Sequence, residues 1–352
     1  MIIFLLILVH VYLFWRISYQ IDPSPKSTSI SIIIPARNEE NNIETLLSSL
    51  GESKLTEIIV VNDQSTDCTK EISLQYGVVV IDTPPLPTGW LGKSWACWNG
   101  AKHAKGDVLV FVDADTWFPR GSSALQTLPF HPNFIYSIHP YHVTKTFIES
   151  LSSFFHLIVA ASSGATKAWG EVLGGYGQCM VISKQTYFTL GGHRSIKSEI
   201  VENLSLLQYA KKNGYTLKAF VGKNILHMRM YSSLSEMTRG WAKSFSKGAI
   251  MTPLSLLMVI ILWISLLYTF TIELAQNLTF SYFLGYVLVA LILNGTLKYI
   301  INIKFYSVLL FPFHLLFFFL TFLYSLFITF IRKNATWKGR NIVIRKDGED
   351  IK

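Results

Sequence analysis

The stretch "DVLVFVDAD", residues 107–115, is a short apolar run that ends in two aspartates one residue apart. A run that is apolar throughout and bounded by polar residues is typical of a strand buried on both faces of a sheet. Largely apolar runs also occur upstream, at residues 30–34, 57–61 and 78–81, and helical patterns separate them at 41–50, 67–76 and 93–104. Strands that alternate with helices predict a parallel sheet covered on both faces.

Three of these predicted strands end in polar or acidic turns. The turns are Arg37-Asn38-Glu39, Asn62-Asp63 and Asp113-Ala114-Asp115. Because ligands of open α/β sheets bind at the carboxyl ends of the strands, we expect the three turns to converge on one site. No G-x-G-x-x-G follows the first strand and no Walker A motif occurs, which excludes a Rossmann dinucleotide site and a P-loop.

The D-x-D pair, Asp113 and Asp115, indicates a metal bound together with a diphosphate. Mg²⁺ takes oxygen ligands and commonly uses one or two carboxylates plus substrate phosphates. The alternative is two solvated aspartates that cap the next helix, since Asp is a common turn residue. A D-x-D alone is a weak signal. Aspartate-nucleophile phosphatases also carry two such aspartates, but they require Thr or Val two residues after the second one. This chain has Trp117 there, which argues against that class of enzyme.

Residues 130–250 indicate α/β structure without clear alternation. Strands are predicted at 134–138, 176–182 and 217–221, around a glycine-rich patch, "GEVLGGYG", at 170–177.

Half of the 352 residues are hydrophobic and only 15% are charged, and the excess lies at the two ends. Apolar stretches at 1–15, 253–272, 280–300 and 305–331 are near the ~20 residues that a bilayer requires. A cleaved signal is disfavoured, because no basic residue precedes the first stretch and Trp15-Arg16 follows it. We predict a transmembrane anchor at 1–20, a soluble domain at 28–249 and membrane segments at 250–331.

The basic residues predict the orientation in a bacterial cell membrane. Arg16 and Lys26 follow the anchor, so the positive-inside rule places the soluble domain in the cytoplasm. The basic charge of the tail, 332–352, predicts that it also stays inside. Three full crossings that start from a cytoplasmic domain would instead place the tail outside. We therefore expect the stretch 305–331, with Pro312 inside it, to be re-entrant or interfacial. The net charge of +9 suits anionic lipid headgroups, and the chain carries no nucleic-acid-binding signature.

Four motifs occur in order over residues 30–120, namely "SIIIPARNEE", "IIVVNDQSTD", "GKSWACWNG" and "VFVDAD". Their order and spacing resemble the nucleotide-sugar half of family 2 glycosyltransferases, the inverting GT-A type. The resemblance implies an α/β GT-A nucleotide-diphospho-sugar transferase domain with a Rossmann-like mixed sheet. It also implies a metal cofactor, Mg²⁺ or Mn²⁺, and UDP-glucose as the donor.

The resemblance assigns roles to individual positions. Asp63 would accept the uracil N3–H, which an acceptor-only carboxylate suits. Lys93 would lie near the diphosphate, Asp113 by the ribose and diphosphate, and Asp115 would bind the metal as a catalytic residue. The nucleoside pocket would be lined by Pro35, Ala36, Arg37 and Glu39. The alternatives are a turn-forming Asp at position 63 and a surface lysine at the start of a helix at position 93.

The second half resembles the acceptor half of the same family. The resemblance lies in three stretches, "GGYGQCMVISKQTYFTLGGH", "IVENLSLLQYAKKNGY" and "HMRMYSSLSEMTRGWAKS". The last stretch is a variant of the family's (Q/R)xxRW element, with Arg239 and Trp241 at the matching positions. With "HPYHVTKTF" and "TWKGR", the chain is similar from end to end to one membrane group, the 4,4'-diaponeurosporenoate glycosyltransferases of staphyloxanthin-type C30 carotenoid biosynthesis.

That resemblance implies transfer of glucose to the carboxylate of a membrane-dissolved carotenoid acid, with neighbouring carotenoid-pathway enzymes as further partners. Arg229, Arg239 and Trp241 would contact the acceptor or the diphosphate. Their alternatives are positive-inside flanking charges and a membrane-belt tryptophan. His139, His142 and His193 are candidates for the sugar pocket, although buried histidines of no special role are more common.

One departure from the family bears on mechanism. The family usually carries Glu-Asp where this chain has Glu202-Asn203, and an amide cannot act as a general base. A carboxylic acid, with a pKa of about 4, is already ionised at neutral pH, so Asn203 favours a carboxylate acceptor. Glu202 is then a catalytic residue that orients the sugar, or a helix-start glutamate. Two alternatives stay open: a hydroxyl of another membrane lipid, with Glu202 as the base, and a catalytically silent membrane scaffold.

Overall fold

The structure, a computed structural model, describes residues 1–17, 28–50, 56–119, 130–199 and 201–327, and a hairpin of two strands near the C-terminus. Of residues 243–250 and of that hairpin it describes the backbone only. The ten strands are β1 Ile30–Ala36, β2 Thr56–Asn62, β3 Val79–Asp82, β4 Val108–Val112, β5 Thr116–Trp117, β6 Phe134–His142, β7 Cys179–Ser183, β8 Thr216–Met228, β9 Asn334–Trp337 and β10 Arg340–Val343.

Eight strands form one mixed sheet in the order β3-β2-β1-β4-β7-β6-β8-β5. Strands β1 to β4 are parallel, as the apolar runs predicted, and β7 runs antiparallel to both β4 and β6. The predicted mixed α/β sheet is confirmed. Because β1 pairs with β2 on one side and with β4 on the other, the chain reverses its direction of travel across the sheet there. Such a switch point is where ligands bind in open α/β sheets.

The helices cover the sheet and extend beyond it. They are α1 Ile2–Phe14, α2 Ile43–Ser49, α3 Thr69–Gln75, α4 Gly92–His103, α5 Phe147–Ser150, α6 Ser153–Ser162, α7 Lys184–Thr189, α8 Glu202–Lys212, α9 Leu234–Met251, α10 Leu254–Gln276, α11 Phe280–Leu297, α12 Phe305–Leu309 and α13 Phe311–Phe327. A 3₁₀ helix spans Gly192–Ile196. Helix α4 lies close on the sheet at Gly100, where a Cβ would come within 2.5 Å of Ile33 and 2.8 Å of Val61.

Two helices, α10 and α11, are long and apolar enough to cross a membrane by length and composition. They coincide with the stretches predicted at 253–272 and 280–300. Helix α1 has 13 residues, and the stretch 305–331 is broken at Leu310 into α12 and α13. The predicted anchor at 1–20 therefore stays a prediction, and the basic tail at 332–352 lies largely outside the described residues.

The apolar helices share one core with the sheet domain. A single cluster of buried residues joins Leu13 of α1, Phe155 of α6, Trp241 of α9, Trp263 of α10 and Phe318 of α13. Helix α6, which follows β6, thus packs against the helices at both ends of the chain. This packing holds the apolar helices against α6 and α9.

Candidate active site

Hydrogen bonds from backbone and side-chain donors join the turns after β1 and β2. The Asp63 N–H donates to the Ala36 carbonyl at 2.8 Å, and Arg37 Nη1 donates to the Asp63 carbonyl at 2.6 Å. Farther along, the Glu39 N–H donates to the Thr69 hydroxyl at 2.8 Å. Asp63 is 2% exposed, so its carboxylate is held in place before any ligand binds.

The chain turns sharply after β4. The strand ends at Val112, the Asp113 N–H donates to the Gln178 carbonyl at 3.0 Å, and the Thr116 N–H donates back to the Asp113 carbonyl at 3.2 Å. In a continuing strand, residues two apart would lie on one face and follow its direction. The turn instead directs both Asp113 and Asp115 into one cavity of about 130 Å³, called here the polar cleft.

The polar cleft contains every residue that the sequence assigned to the nucleotide sugar. Its lining residues are Pro35, Ala36, Arg37, Glu39, Asp63, Lys93, Ala96, Asp113, Ala114 and Asp115. They come from the carboxyl ends of β1, β2 and β4 and from the start of α4. The expected convergence is confirmed, whereas the role of each residue stays a prediction.

Lys93 joins two carboxylates that are 89 residues apart in sequence. Its Nζ lies 2.7 Å from Asp113 Oδ1 and 2.7 Å from Glu202 Oε1. Burial acts to lower the pKa of Lys93, but the charges of Asp113 and Glu202 outweigh it and hold that pKa well above its ordinary value. The lysine is therefore an ammonium at neutral pH.

Negative charge is in excess around this ammonium. Burial raises the pKa of Asp113, Lys93 opposes the shift, and the charges of Asp115 and Glu202 add to it. Asp115 thus adds a third acidic group beside the two that bind Lys93, and a divalent cation would balance the remaining negative charge. The carboxylate oxygens of Asp113 and Asp115 are the donor type that Mg²⁺ and Mn²⁺ take, so the residues present fit the predicted metal.

A second, much larger cavity of about 1030 Å³ adjoins the polar cleft and shares Lys93 and Asp113 with it. This apolar cavity exceeds the ~300–1,000 Å³ common for small-molecule sites. Its far wall is built from α10 and α13, including Leu257, Ile264 and Phe318. Its near wall is the glycine-rich loop 174–178 together with the start of α8. An occupant would extend from the apolar helices to the Lys93 ammonium.

The glycine-rich loop can lie against the sheet only without a side chain at one position. A Cβ on Gly175 would meet Leu207 at 2.5 Å and the Ser137 hydroxyl at 2.7 Å. The Ser137 hydroxyl donates to the Tyr176 carbonyl at 2.9 Å, which fixes the loop on β6. The patch "GEVLGGYG" was the sequence signal for this wall, but its function could not be predicted from it.

Asn203 is held in a buried hydrogen-bond chain. Its Nδ2 donates to the Gly177 carbonyl at 2.6 Å, and its Oδ1 lies 3.1 Å from His193 Nε2. His193 Nδ1 in turn lies 2.9 Å from the Tyr187 hydroxyl. Both ends of the amide are engaged, one as donor and one as acceptor. His193 thus supports the residue beside Glu202 and is absent from the described lining of both cavities.

The three residues predicted to contact the acceptor or diphosphate are placed differently from one another. Trp241 is 6% exposed, lines the apolar cavity and stacks on Phe155 with ring centroids 4.7 Å apart. Arg229 instead binds the buried Glu149, with Nη2 2.9 Å from Oε1. Arg239 is exposed, and neither arginine is among the described residues that line the two cavities. The structure does not bring the two arginines to the site.

The polar cleft with its D-x-D turn thus lies directly against a large apolar cavity. The chain belongs to glycosyl transferase family 2, whose family model matches residues 31–187. It is therefore a glycosyltransferase, and the silent-scaffold alternative is not supported.

Two curated relatives carry the same name, 4,4'-diaponeurosporenoate glycosyltransferase. The protein from Staphylococcus aureus (strain USA300) is 32% identical over 336 residues, which cover 91% of this chain and 89% of that one. The protein from Staphylococcus haemolyticus (strain JCSC1435) is 36% identical over 247 residues, covering 67% of this chain and 66% of that one. The end-to-end resemblance seen in the sequence motifs is confirmed.

Among solved structures, the chain is similar to the mannosyltransferase PcManGT from Pyrobaculum calidifontis in complex with GDP-Man and Mn²⁺. The TM-score is 0.49 at 18% identity, covering 84% of this chain and 96% of that chain. A glucosyl-3-phosphoglycerate synthase from Mycobacterium tuberculosis in complex with Mn²⁺, UDP and glucosyl-3-phosphoglycerate gives a TM-score of 0.41 at 18% identity, covering 64% of this chain and 80% of that chain.

Proposed function

We propose that this enzyme moves glucose from UDP-glucose to the carboxylate of a C30 carotenoid acid, 4,4'-diaponeurosporenoate, and forms a glucosyl ester. The observation that carries the proposal is the junction of the two cavities at Lys93 and Asp113. A polar cleft for a nucleotide sugar opens there into an apolar cavity large enough for a long hydrocarbon. The name shared by the curated relatives supports this acceptor.

The donor occupies the polar cleft. Asp63, fixed by its backbone bond to Ala36, accepts the N3–H of uracil, and the segment Pro35–Glu39 borders the nucleoside. Asp115, with Asp113 beside it, would hold Mg²⁺ or Mn²⁺, which supplies positive charge to the departing diphosphate. Lys93 presents its ammonium at the same place and stabilises the negative charge that develops as UDP leaves.

The acceptor carboxylate attacks C1 of glucose from the face opposite to UDP. The new C–O bond forms as the bond from C1 to the phosphate oxygen breaks, and that electron pair leaves with UDP. Because the carboxylate is ionised at neutral pH, no proton has to be removed. Asn203 is consistent with this chemistry, since its amide serves Gly177 and His193 and is no base.

Glu202 acts in this mechanism by holding Lys93 at the junction, with Oε1 and Nζ 2.7 Å apart. It also lines the apolar cavity, from which it can orient a hydroxyl of the glucose. The walls from α10 and α13 support entry of the acceptor from a bilayer, and α10 and α11 are the helices suited to cross it. We propose a multi-pass protein of the bacterial cell membrane with its catalytic domain in the cytoplasm.

A second candidate acceptor is a hydroxyl of another membrane lipid, favoured by the Glu202 carboxylate in the cavity wall. A hydroxyl would need Glu202 as its general base, which is worth ~10²–10⁴ in rate. Replacement of Glu202 by Gln separates the two candidates. With the carotenoid acid, Glu202→Gln should keep transfer within about tenfold of the wild-type rate, because no base is lost. With a lipid hydroxyl as the acceptor, the same variant should lose about 10²-fold or more, because that reaction needs the base.

A further inference from the structure

Three buried histidines lie together in the wall of the apolar cavity. His139 and His142 are on β6 and His156 is on α6, and they are between 1% and 3% exposed. One ring nitrogen from each lies within 4.8 Å of the other two. All three side chains line the apolar cavity, and none of them belongs to the polar cleft.

The pairing of β6 with β8 is irregular beside these rings, because residues 223–226 of β8 have no partner on β6. Residues three apart on a regular strand point to opposite faces of the sheet. The register of β6 on β8 shifts between Pro140, which pairs with Gly222, and Tyr141, which pairs with His227. The rings of His139 and His142 nevertheless lie close together, with ring centroids 5.0 Å apart.

The position of His142 is also fixed from outside the sheet. Its N–H donates to the Ile300 carbonyl at 2.8 Å, and its carbonyl accepts the Asn302 N–H at 2.8 Å. The segment that follows α11 therefore supports the cluster from one side, and α6 contributes His156 from another. Two elements, β6 and α6, therefore supply the histidines, and the segment after α11 holds the backbone of one of them in place.

The chemistry of the rings suits a metal. Burial lowers the pKa of His139 to about 4, and it holds the pKa of His142 well below its ordinary value, because His156 and His139 add repulsion. Neutral imidazole is the form that binds metals, and burial disfavours the charged form. The Nδ1 atoms of His139 and His142 are buried without a hydrogen-bond partner among the described residues. Buried polar atoms without a partner are uncommon, and a binding site for an ion is one of the ordinary reasons for them.

We propose that His139, His142 and His156 bind one divalent transition-metal ion, with Zn²⁺ as the best-matched class, and leave a coordination position open to the apolar cavity. Three histidines with one open position are a known zinc donor set, whereas Mg²⁺ prefers oxygen. Zn–N bonds of about 2.0–2.1 Å place ligand nitrogens roughly 3.4 Å apart. The rings must therefore turn on binding, and the stack of His142 on His156, now 3.5 Å between centroids, opens.

The test is metal retention by the 352-residue chain in detergent, prepared without a histidine tag. The chain is stripped with a chelator and dialysed against Zn²⁺ in the presence of excess Mg²⁺, and bound metal is then measured by mass spectrometry. Wild-type protein should retain one Zn²⁺, and His139→Gln or His142→Gln should weaken retention at least about tenfold. The matched control is His314→Gln, which replaces a buried histidine outside the cluster, and it should retain the ion.

A second control is Asp115→Asn, which should keep the Zn²⁺ because that residue lies in the polar cleft. Equal retention by the wild type and the His139 and His142 variants would overturn the proposal, as would no retention by the wild type. If those variants do not fold, the wild-type protein is titrated with Co²⁺ and its visible absorption is measured instead. A strong visible absorption that Zn²⁺ abolishes indicates low-coordinate imidazole ligation, and its absence overturns the proposal.

Discussion

Replacement of Asn203 by Asp restores the residue that family 2 enzymes usually carry, and the structure predicts that it harms this protein. The Asn203 Nδ2–H donates to the Gly177 carbonyl at 2.6 Å, so the aspartate variant would bring a carboxylate oxygen against that carbonyl. A buried carbonyl that loses its donor costs about 1–3 kcal/mol, and repulsion between the two oxygens adds to this. We expect the free energy of unfolding to fall by at least that amount.

The same variant tests whether a base limits the reaction. A positioned general base contributes about 10²–10⁴ in rate when a proton must be removed, and an ionised acceptor offers no such proton. With the carotenoid acid as acceptor, we therefore expect no increase in kcat for Asn203→Asp. Initial rates with labelled UDP-glucose, and chemical unfolding in detergent, measure the two effects.

Asn203→Ala is the matched control, because it loses the same hydrogen bonds without gaining a charge. It should be destabilised less than Asn203→Asp, since it lacks the repulsion. An aspartate variant at least as stable as the wild type, or one that transfers glucose to the acid ten times faster, would refute the reasoning.

Three other predictions concern the two cavities and Arg229, which binds Glu149. Asp115→Asn should weaken UDP binding in the presence of Mn²⁺ at least about tenfold, because a carboxylate ligand is lost; isothermal titration measures it. Ile264→Trp should fill the apolar cavity and slow transfer to the acceptor at least about tenfold while UDP binding stays unchanged. Arg229→Met should lower the free energy of unfolding by about 1–3 kcal/mol, because the buried Glu149 carboxylate loses its cationic partner, and should not change the KM for UDP-glucose.

Each of these variants has a control or a contrary outcome. Asp107→Asn, at the other end of β4, should bind UDP as the wild type does. Leu262→Trp, on the exposed face of α10, should leave transfer unchanged. Equal effects in both members of either pair would contradict the placement of the cavities. A raised KM for UDP-glucose in Arg229→Met, without a loss of stability, would contradict this placement and indicate that Arg229 contacts the diphosphate.

The polar cleft could be predicted from the sequence because its residues follow parallel strands directly. Once β1, β2 and β4 are parallel, their carboxyl ends meet at one edge, and Asp63, Asp113 and Asp115 must lie there. Lys93 follows the same logic, since α4 starts at that edge and Gly100 holds the helix close to the sheet.

The acceptor half could not be predicted in the same way, because its contacts join distant segments without a local signal. Arg229 pairs with Glu149, 80 residues away, although its sequence context suggested a contact with the acceptor or the diphosphate. The strand β7 enters antiparallel between β4 and β6, which the apolar pattern does not reveal. The histidine cluster joins β6 to α6, and regular alternation along β6 would have predicted His139 and His142 on opposite faces, although their ring centroids lie 5.0 Å apart.

The most direct test of the central claim compares the two acceptor chemistries on the wild-type enzyme. Membranes that contain the protein are incubated with labelled UDP-glucose and a C30 carotenoid acid, or with the corresponding carotenoid alcohol. We predict a labelled lipid product from the acid that mild base hydrolyses, as expected for a glucosyl ester. Product from the alcohol alone, or product from the acid that resists base, would contradict the account.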